Sequence, residues 1–92
     1  MIVENVTPVK NPRIAARVVD GKALLVVIDN KQLHTLNEVA TRIWELCDGR
    51  SVGAIADVII EEFNVDRSSA LQDIQKFLIE LRRVGALEPE VA

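Results

Sequence analysis

The stretch from Gln32 to Gly49 reads QLHTLNEVATRIWELCDG and divides the chain into two halves of different character. It begins as a β-prone segment, turns at Leu36-Asn37 and continues with a helical period until Asp48. The segments before it have the character of strands, and those after it have the character of helices. Strands followed by helices are the α+β pattern. We therefore predict a sheet that meets a helical bundle at this junction.

Two turn signals divide the residues before the junction into strands. Asp20-Gly21 is the stronger signal, because a type I′ hairpin turn needs positive φ at both central positions. A second turn falls at Asp29-Asn30-Lys31. The sequence predicts a three-stranded antiparallel β-meander over residues 13–36, with strands at 13–19, 22–28 and 32–36. Because the second strand contains the apolar run LLVVI, we expect both of its faces to be covered.

Three capping signals predict three helices after the junction. Asn37 and Ser51 can cap the first two, and Asp66 or Ser68 can cap the third. The apolar periods predict helices at about 37–47, 52–63 and 66–84, with Thr41 on the solvent side. This gives a three-helix bundle over residues 37–85, compatible with a winged helix-turn-helix-like arrangement.

The two ends of the chain complete a single predicted domain of 92 residues. Pro8 and Pro12 favour an extended arm over residues 1–12, with a short strand at Ile2–Val6. Residues 86–92 are predicted to be a short extended tail.

Composition makes some classes of function less favoured than others. The net charge is −3, and residues 37–63 carry two cations against six anions, which argues against a nucleic-acid binder. Cys47 is the single cysteine, so an internal disulfide is excluded. We find no apolar run of membrane-spanning length and no signal-peptide pattern at the start. The prediction is a cytoplasmic protein without a membrane partner.

Residues that could perform catalysis are few. His34 is the only histidine, and Cys47 lies on the apolar stripe of the first helix, where a small buried hydrophobe is expected. No ligand spacing predicts a metal site, and the four glycines are isolated, so no phosphate-binding loop is expected. We predict no catalytic residue, no metal and no cofactor.

Two surfaces remain as candidate binding sites. The third strand is an edge of the meander, and an exposed edge can bind an extended peptide by strand addition. One face of the third helix combines apolar Ile79 with polar and cationic residues and has no carboxylate: Gln72, Gln75, Lys76, Arg82 and Arg83. A solvated face, a peptide-binding surface and a DNA-reading helix are the alternatives for this second surface.

The ordered set of motifs resembles the PqqD family, small proteins of pyrroloquinoline-quinone (PQQ) biosynthesis and, more widely, recognition elements of ribosomally made and modified peptides (RiPPs). The resemblance covers roughly residues 12–88. Its carriers are Leu24-Leu25, Leu36-Asn37, Ile43-Trp44, Asp48-Gly49, Ser51-Val52, Ile55-Ala56, Phe63, Asp73-Ile74, Phe77-Leu78, Leu81 and Gly85-Ala86-Leu87.

The resemblance implies a chaperone-like adaptor that performs no chemistry. Such a protein binds the leader of a precursor peptide as an added strand between the third strand and the third helix. It delivers the leader to a modifying enzyme, often a radical SAM (S-adenosylmethionine) enzyme. Carried over by position, the peptide-binding residues are Lys31, Gln32, Leu33, His34, Thr35, Leu36, Leu71, Gln75, Ile79 and Arg82.

Two other functions stay open at this point. The first alternative is a winged-helix DNA-binding regulator. The second is a structural subunit that forms a homodimer through the apolar outer face of its sheet.

Overall fold

A computed structural model of the chain describes residues 3–88. Three antiparallel strands are followed by three helices, which confirms the predicted α+β architecture. The strands are β1 (Ile14–Val19), β2 (Lys22–Val27) and β3 (Gln32–Thr35), and the helices are α1 (Glu38–Leu46), α2 (Val52–Phe63) and α3 (Arg67–Arg83). Within residues 3–88 no helix has the length and apolarity needed to cross a membrane.

The sheet has the order β1-β2-β3, with β2 in the centre. Asp20 and Gly21 have φ values of 53° and 76°, so the hairpin turn adopts the positive-φ conformation that its sequence predicted. Leu25, in the middle of β2, lies opposite Ala16 on β1 and opposite His34 on β3.

The two faces of the sheet have different environments. Ala23, Leu25 and Val27 on β2 are buried and face the helices, on what we call the inner face. Residues directly opposite one another in neighbouring strands point to the same side. The outer face therefore consists of Ala15, Arg17, Val19, Lys22, Leu24, Val26, Leu33 and Thr35.

The outer face is not covered by the described part of the chain. Both faces of β2 are expected to be covered, but Leu24 and Val26 are only partly buried, and Leu33 beside them is 62% exposed. The core helices among residues 3–88 contact the sheet from the inner side alone, so they do not supply the expected cover of the outer side.

Side-chain caps begin each helix. Asn37 Oδ1 accepts a hydrogen bond from the backbone N–H of Ala40 at 2.8 Å, and Ser51 caps α2 in the same way. Asp66, one of the two caps considered for the third helix, accepts from the N–H of Ser69 at 3.1 Å. Hydrogen bonds from Ser69 hold the pKa of Asp66 below its ordinary value. These local signals fix where each helix starts.

Thr41 connects α1 to the sheet. It was expected to face solvent, but its side chain is 2% exposed, and Oγ1 accepts a hydrogen bond from the N–H of Ala23 at 2.7 Å. The prediction was wrong because this contact joins residues 18 positions apart, and the helical period alone carries no information about it.

The N-terminal arm attaches to the helices and not to the sheet. A strand was expected at Ile2–Val6, but the described part of this range contains a 3-10 helix over Val3–Asn5, and Ile2 lies outside the described residues. The carbonyl of Val6 accepts from the N–H of Val52 at the start of α2, at 2.7 Å. This bond satisfies the backbone there without any neighbouring strand.

The tail is held by the arm. Lys10 and Leu87 form an isolated antiparallel bridge, in line with the extended tail predicted from residue 86, and residues 89–92 lie outside the described range. The ammonium group of Lys10 also lies 4.6 Å from the centre of the Trp44 ring, a cation–π contact with α1.

Candidate functional site

The backbone of β3 has an open edge. The N–H of Leu36 donates to the carbonyl of Ala23 on β2 at 2.8 Å. In an antiparallel pair the groups that face the partner occur at every second residue. The backbone groups of His34 and Gln32 therefore face β2, while those of Leu33 and Thr35 point away from the sheet. Within residues 3–88 no strand pairs with this side of β3.

Both ends of β3 are fixed by local hydrogen bonds. At the start, Lys31 has a φ of 58°, and its N–H donates to the carbonyl of Val27 at 2.7 Å. The N–H of Gln32 donates to Asn30 Oδ1 at 3.0 Å. At the other end, Asn37 caps α1. The open edge is therefore a short, preorganised segment rather than a free loop.

Two buried nitrogen atoms among the predicted site residues have no hydrogen-bond partner within the described chain. They are Nε2 of His34 and Nε of Arg82. Because His34 lies opposite Leu25, its ring points to the inner face of the sheet. Buried polar atoms usually have partners in folded proteins, so these two atoms retain unused hydrogen-bonding capacity.

A cleft of about 410 Å³ lies between α1 and α3 and begins directly after β3. Its apolar lining comes from both helices, and its charged lining comes from α3. The lining residues are Asn37, Val39, Ala40, Ile43, Asp73, Lys76, Phe77 and Glu80. Because Asn37 follows the last residues of β3, the cleft and the open edge are neighbouring parts of one surface.

The cleft uses a different side of α3 from the one predicted. An α-helix turns by about 100° per residue. Measured from buried Ile74, Phe77 and Asp73 lie about 60° and 100° to one side, while Leu71 and Gln75 lie about 60° and 100° to the other. We call these the near flank, which faces the cleft, and the far flank.

The predicted helix residues all belong to the far flank, and the structure does not bring them into the cleft. Leu71 and Arg82 are partly buried, Gln75 is exposed, and Ile79 is 59% exposed. Of the cleft residues, only Lys76 belonged to a candidate binding surface identified from the sequence. The helical period marks Phe77 as part of the apolar stripe of the third helix, and it separates the carboxylates of Asp73 and Glu80 from the cationic face.

The predicted cationic face is also less free of carboxylates than its sequence indicated. Arg83 forms an ion pair with Glu80 at 2.7 Å, because residues three apart are neighbours on a helix. Glu80 also lines the cleft. The ion pair therefore links the near flank to the exposed side of α3, where Arg83 lies.

Cys47 is poorly suited to nucleophilic catalysis. The residue is buried at the end of α1, and its thiol donates to the carbonyl of Ile43 at 3.3 Å. Burial raises the pKa of the thiol from 9.0 to about 11, so the reactive thiolate is disfavoured at neutral pH. Among residues 3–88 there is also no group of three or more His, Cys, Asp or Glu side chains that could hold a metal ion.

Comparison with known proteins shows which family the chain belongs to. The family model described as coenzyme PQQ synthesis protein D (PqqD) matches residues 23–87, which include β2 except its first residue, together with β3 and all three helices. The chain belongs to the PqqD family. This confirms the resemblance that the sequence motifs indicated. No curated protein matches the chain.

Two solved structures are similar to the chain over nearly their whole length. TbiB1 in complex with the TbiA(beta) leader peptide is 26% identical, with a TM-score of 0.86, and the match covers 91% of this chain and 99% of that one. Lasso peptide synthetase B1 complexed with the leader peptide is 25% identical, with a TM-score of 0.83, covering 91% and 100%. Both relatives were solved with leader peptides.

Proposed function

We propose that this PqqD-family chain is a non-catalytic adaptor that binds the leader segment of a ribosomally made precursor peptide. The observation that carries the proposal is the open edge of β3 beside the α1–α3 cleft. The proposal is supported by two structural neighbours that were solved with leader peptides.

The peptide binds as a fourth strand on the open edge of β3, along Lys31–Leu36. The outward backbone groups of Leu33 and Thr35 supply its hydrogen bonds and set its register. Side chains of an added strand alternate between the two faces of the sheet. Those that point to the inner face extend past His34 towards the cleft.

On the helix side, the near flank of α3 is the wall of the site. Phe77, Val39 and Ala40 offer apolar contact for a side chain of the peptide, and Asp73, Lys76 and Glu80 offer charge at the rim. The far flank, with Leu71, Gln75, Ile79 and Arg82, remains the prediction from the sequence. A mutation on each flank can show which of the two contacts the peptide.

The adaptor presents the bound leader to a modifying enzyme of the radical SAM type. The chain contributes binding and positioning, and the enzyme contributes the chemistry. Because precursor peptides are made on ribosomes, the proposed activity implies a cytoplasmic location.

Proline substitutions on the two open edges of the sheet test the binding mode. Thr35→Pro removes an N–H from the β3 edge and places the proline ring where the peptide backbone would lie. The matched control is Ala16→Pro. Because the N–H of Ile28 donates to the carbonyl of Arg13 at 3.1 Å, residues 13, 15 and 17 face β2, and Ala16 faces the open edge of β1.

The probe is a synthetic leader peptide labelled for fluorescence anisotropy, taken from a short precursor gene if one is found beside the gene for this chain. We expect Thr35→Pro to weaken leader binding by roughly tenfold or more, since a lost hydrogen bond of about 1 kcal/mol is joined by a steric clash. Ala16→Pro should bind like the parent protein. Equal affinity in both variants, with both folded by circular dichroism, would rule out strand addition at β3.

A further inference from the structure

The outer face of the sheet is a second surface, which shares with the proposed peptide site only β3, whose backbone edge binds the peptide. Its centre is apolar, with Leu24 and Val26 on β2 partly buried and Val19 on β1 47% exposed. Leu33 on β3 completes it. A contiguous exposed apolar surface of this kind is typical of an interaction site.

The N-terminal arm does not cover this face. The carbonyl of Val9 accepts from the N–H of Glu88, and the N–H of Asn11 donates to the carbonyl of Ala86 at 3.0 Å. Together with the bond from Val6 to α2, these contacts hold the arm along the helices and the tail. From residue 3 to residue 88, the chain therefore leaves the outer face open.

The charges on the outer face all have one sign. The three strands contain no Asp or Glu, and Arg17 and Lys22 have no ion-pair partner within 4.0 Å in the described range 3–88. Arg13, which lies just before the opposite end of β1, is instead paired with Asp29. Unpaired cations beside an apolar centre are complementary to an apolar surface with carboxylates at its rim.

One end of the outer face is concave. A depression of about 580 Å³ is lined by Val19, Lys22, Ala23, Leu24, Thr35, Leu36 and Asn37. Four of these seven residues belong to the outer face, and Lys22 supplies the only charge among them. Such a recess can receive an apolar side chain of a partner while a neighbouring carboxylate reaches the lysine.

We propose that the outer face is the docking surface for a second protein, one that presents an apolar contact patch bordered by carboxylates. A second copy of this chain is a poor partner, because its strands carry no Asp or Glu to pair with Arg17 and Lys22. A partner with carboxylates at the rim of its patch supplies the charge complementarity that a second outer face lacks.

The position of this surface identifies the partner as the modifying enzyme, a step that rests on the proposed function. A peptide added to β3 extends the sheet, so its outward side chains continue the outer face beyond Leu33. A protein docked there contacts the adaptor and the bound peptide at the same time. A protein docked on the outer face would also leave the cleft between α1 and α3 open, because the cleft lies on the other side of the sheet.

Charge reversal tests the surface directly. The variants are Arg17→Glu and Lys22→Glu, with Arg50→Glu as a control that makes the same charge change at an exposed site after α1. The probe is a purified modifying enzyme, taken from a neighbouring gene if one is found there, and it is titrated by biolayer interferometry at low and high salt. Leader binding is measured in parallel on every variant.

We expect each outer-face variant to weaken enzyme binding by roughly fivefold or more, since a rim contact turns from attraction into repulsion. The control should bind as the parent does, and added salt should reduce the difference. Leader affinity should not change in any variant, which separates this surface from the peptide site.

Three results would overturn the docking surface: no enzyme binding by the parent chain, equal binding by all variants, or a dimer that Lys22→Glu dissociates in sedimentation. The two proposals fail separately. If the enzyme docks on the outer face but no leader binds, the peptide function is wrong and the docking surface stands. If the leader binds but charge reversal on the outer face does not change enzyme binding, the docking surface is wrong and the peptide function stands.

Discussion

The strongest test of the peptide site is a side chain that fills the cleft. Ala40 lies in the first turn of α1, is partly buried and lines the cleft opposite α3. In Ala40→Phe, an aromatic ring occupies the space that we assign to a side chain of the leader. The change leaves β3 and its outward backbone groups untouched.

The expected loss follows from apolar burial. Placing one large apolar side chain in a dry pocket contributes about 1.5–3 kcal/mol. Since about 1.4 kcal/mol corresponds to a factor of ten, excluding that side chain weakens binding by roughly 10- to 150-fold. The fold should tolerate the change, because the helix-propensity cost is about 0.5 kcal/mol and the N–H of Ala40 keeps its bond to Asn37.

Ile79→Asp on the far flank is the matched comparison. Ile79 is 59% exposed, so the substitution should cost little folding stability. If the near flank is the wall, Ile79→Asp changes leader affinity by less than about twofold in the same anisotropy titration. If the far flank predicted from sequence is the wall, the lost contact and added charge weaken binding by about tenfold. A large effect of Ile79→Asp with no effect of Ala40→Phe would refute our assignment of the cleft.

Two further predictions concern the fold. Thr41→Val leaves the buried N–H of Ala23 without its acceptor, so urea denaturation should show a loss of about 1–3 kcal/mol in the free energy of unfolding. For Cys47, burial raises the pKa from 9.0 in the unfolded chain to about 11, so the folded state keeps a proton that the unfolded state loses in this window. Stability should therefore fall by about 2 kcal/mol between pH 9 and pH 11, relative to Cys47→Val, in parallel urea titrations; equal pH profiles would contradict this.

The parts of the fold that the sequence predicted depend on local chemistry. Asp20-Gly21 determines a turn because few other dipeptides accept positive φ at both positions. Asn37 and Ser51 each cap a helix by bonding an N–H group three residues away. Such signals act within a few residues, so a single sequence is enough to interpret them.

The parts that it missed depend on contacts between distant segments. The helical period placed Thr41 on the solvent side, but its hydroxyl is held by the backbone of β2. The same limit applies to α3, where the period separates the buried stripe from two flanks without showing which one borders the cleft. Only the position of α1 beside Phe77 and Asp73 distinguishes them.

The length of β3 explains why a cleft is needed beside an open edge. Leu33 and Thr35 each offer one outward N–H and one outward C=O, so the edge can form about four backbone hydrogen bonds with an added strand. At about 0.5–1.5 kcal/mol each, these contribute about 2–6 kcal/mol, while a micromolar complex needs about 8.2 kcal/mol after the cost of association. Backbone pairing alone therefore sets the register of the added strand, but it does not give micromolar affinity for a peptide of any sequence. Tight binding requires a side chain that fits the cleft, and this requirement allows the chain to keep an exposed edge while it discriminates among peptides.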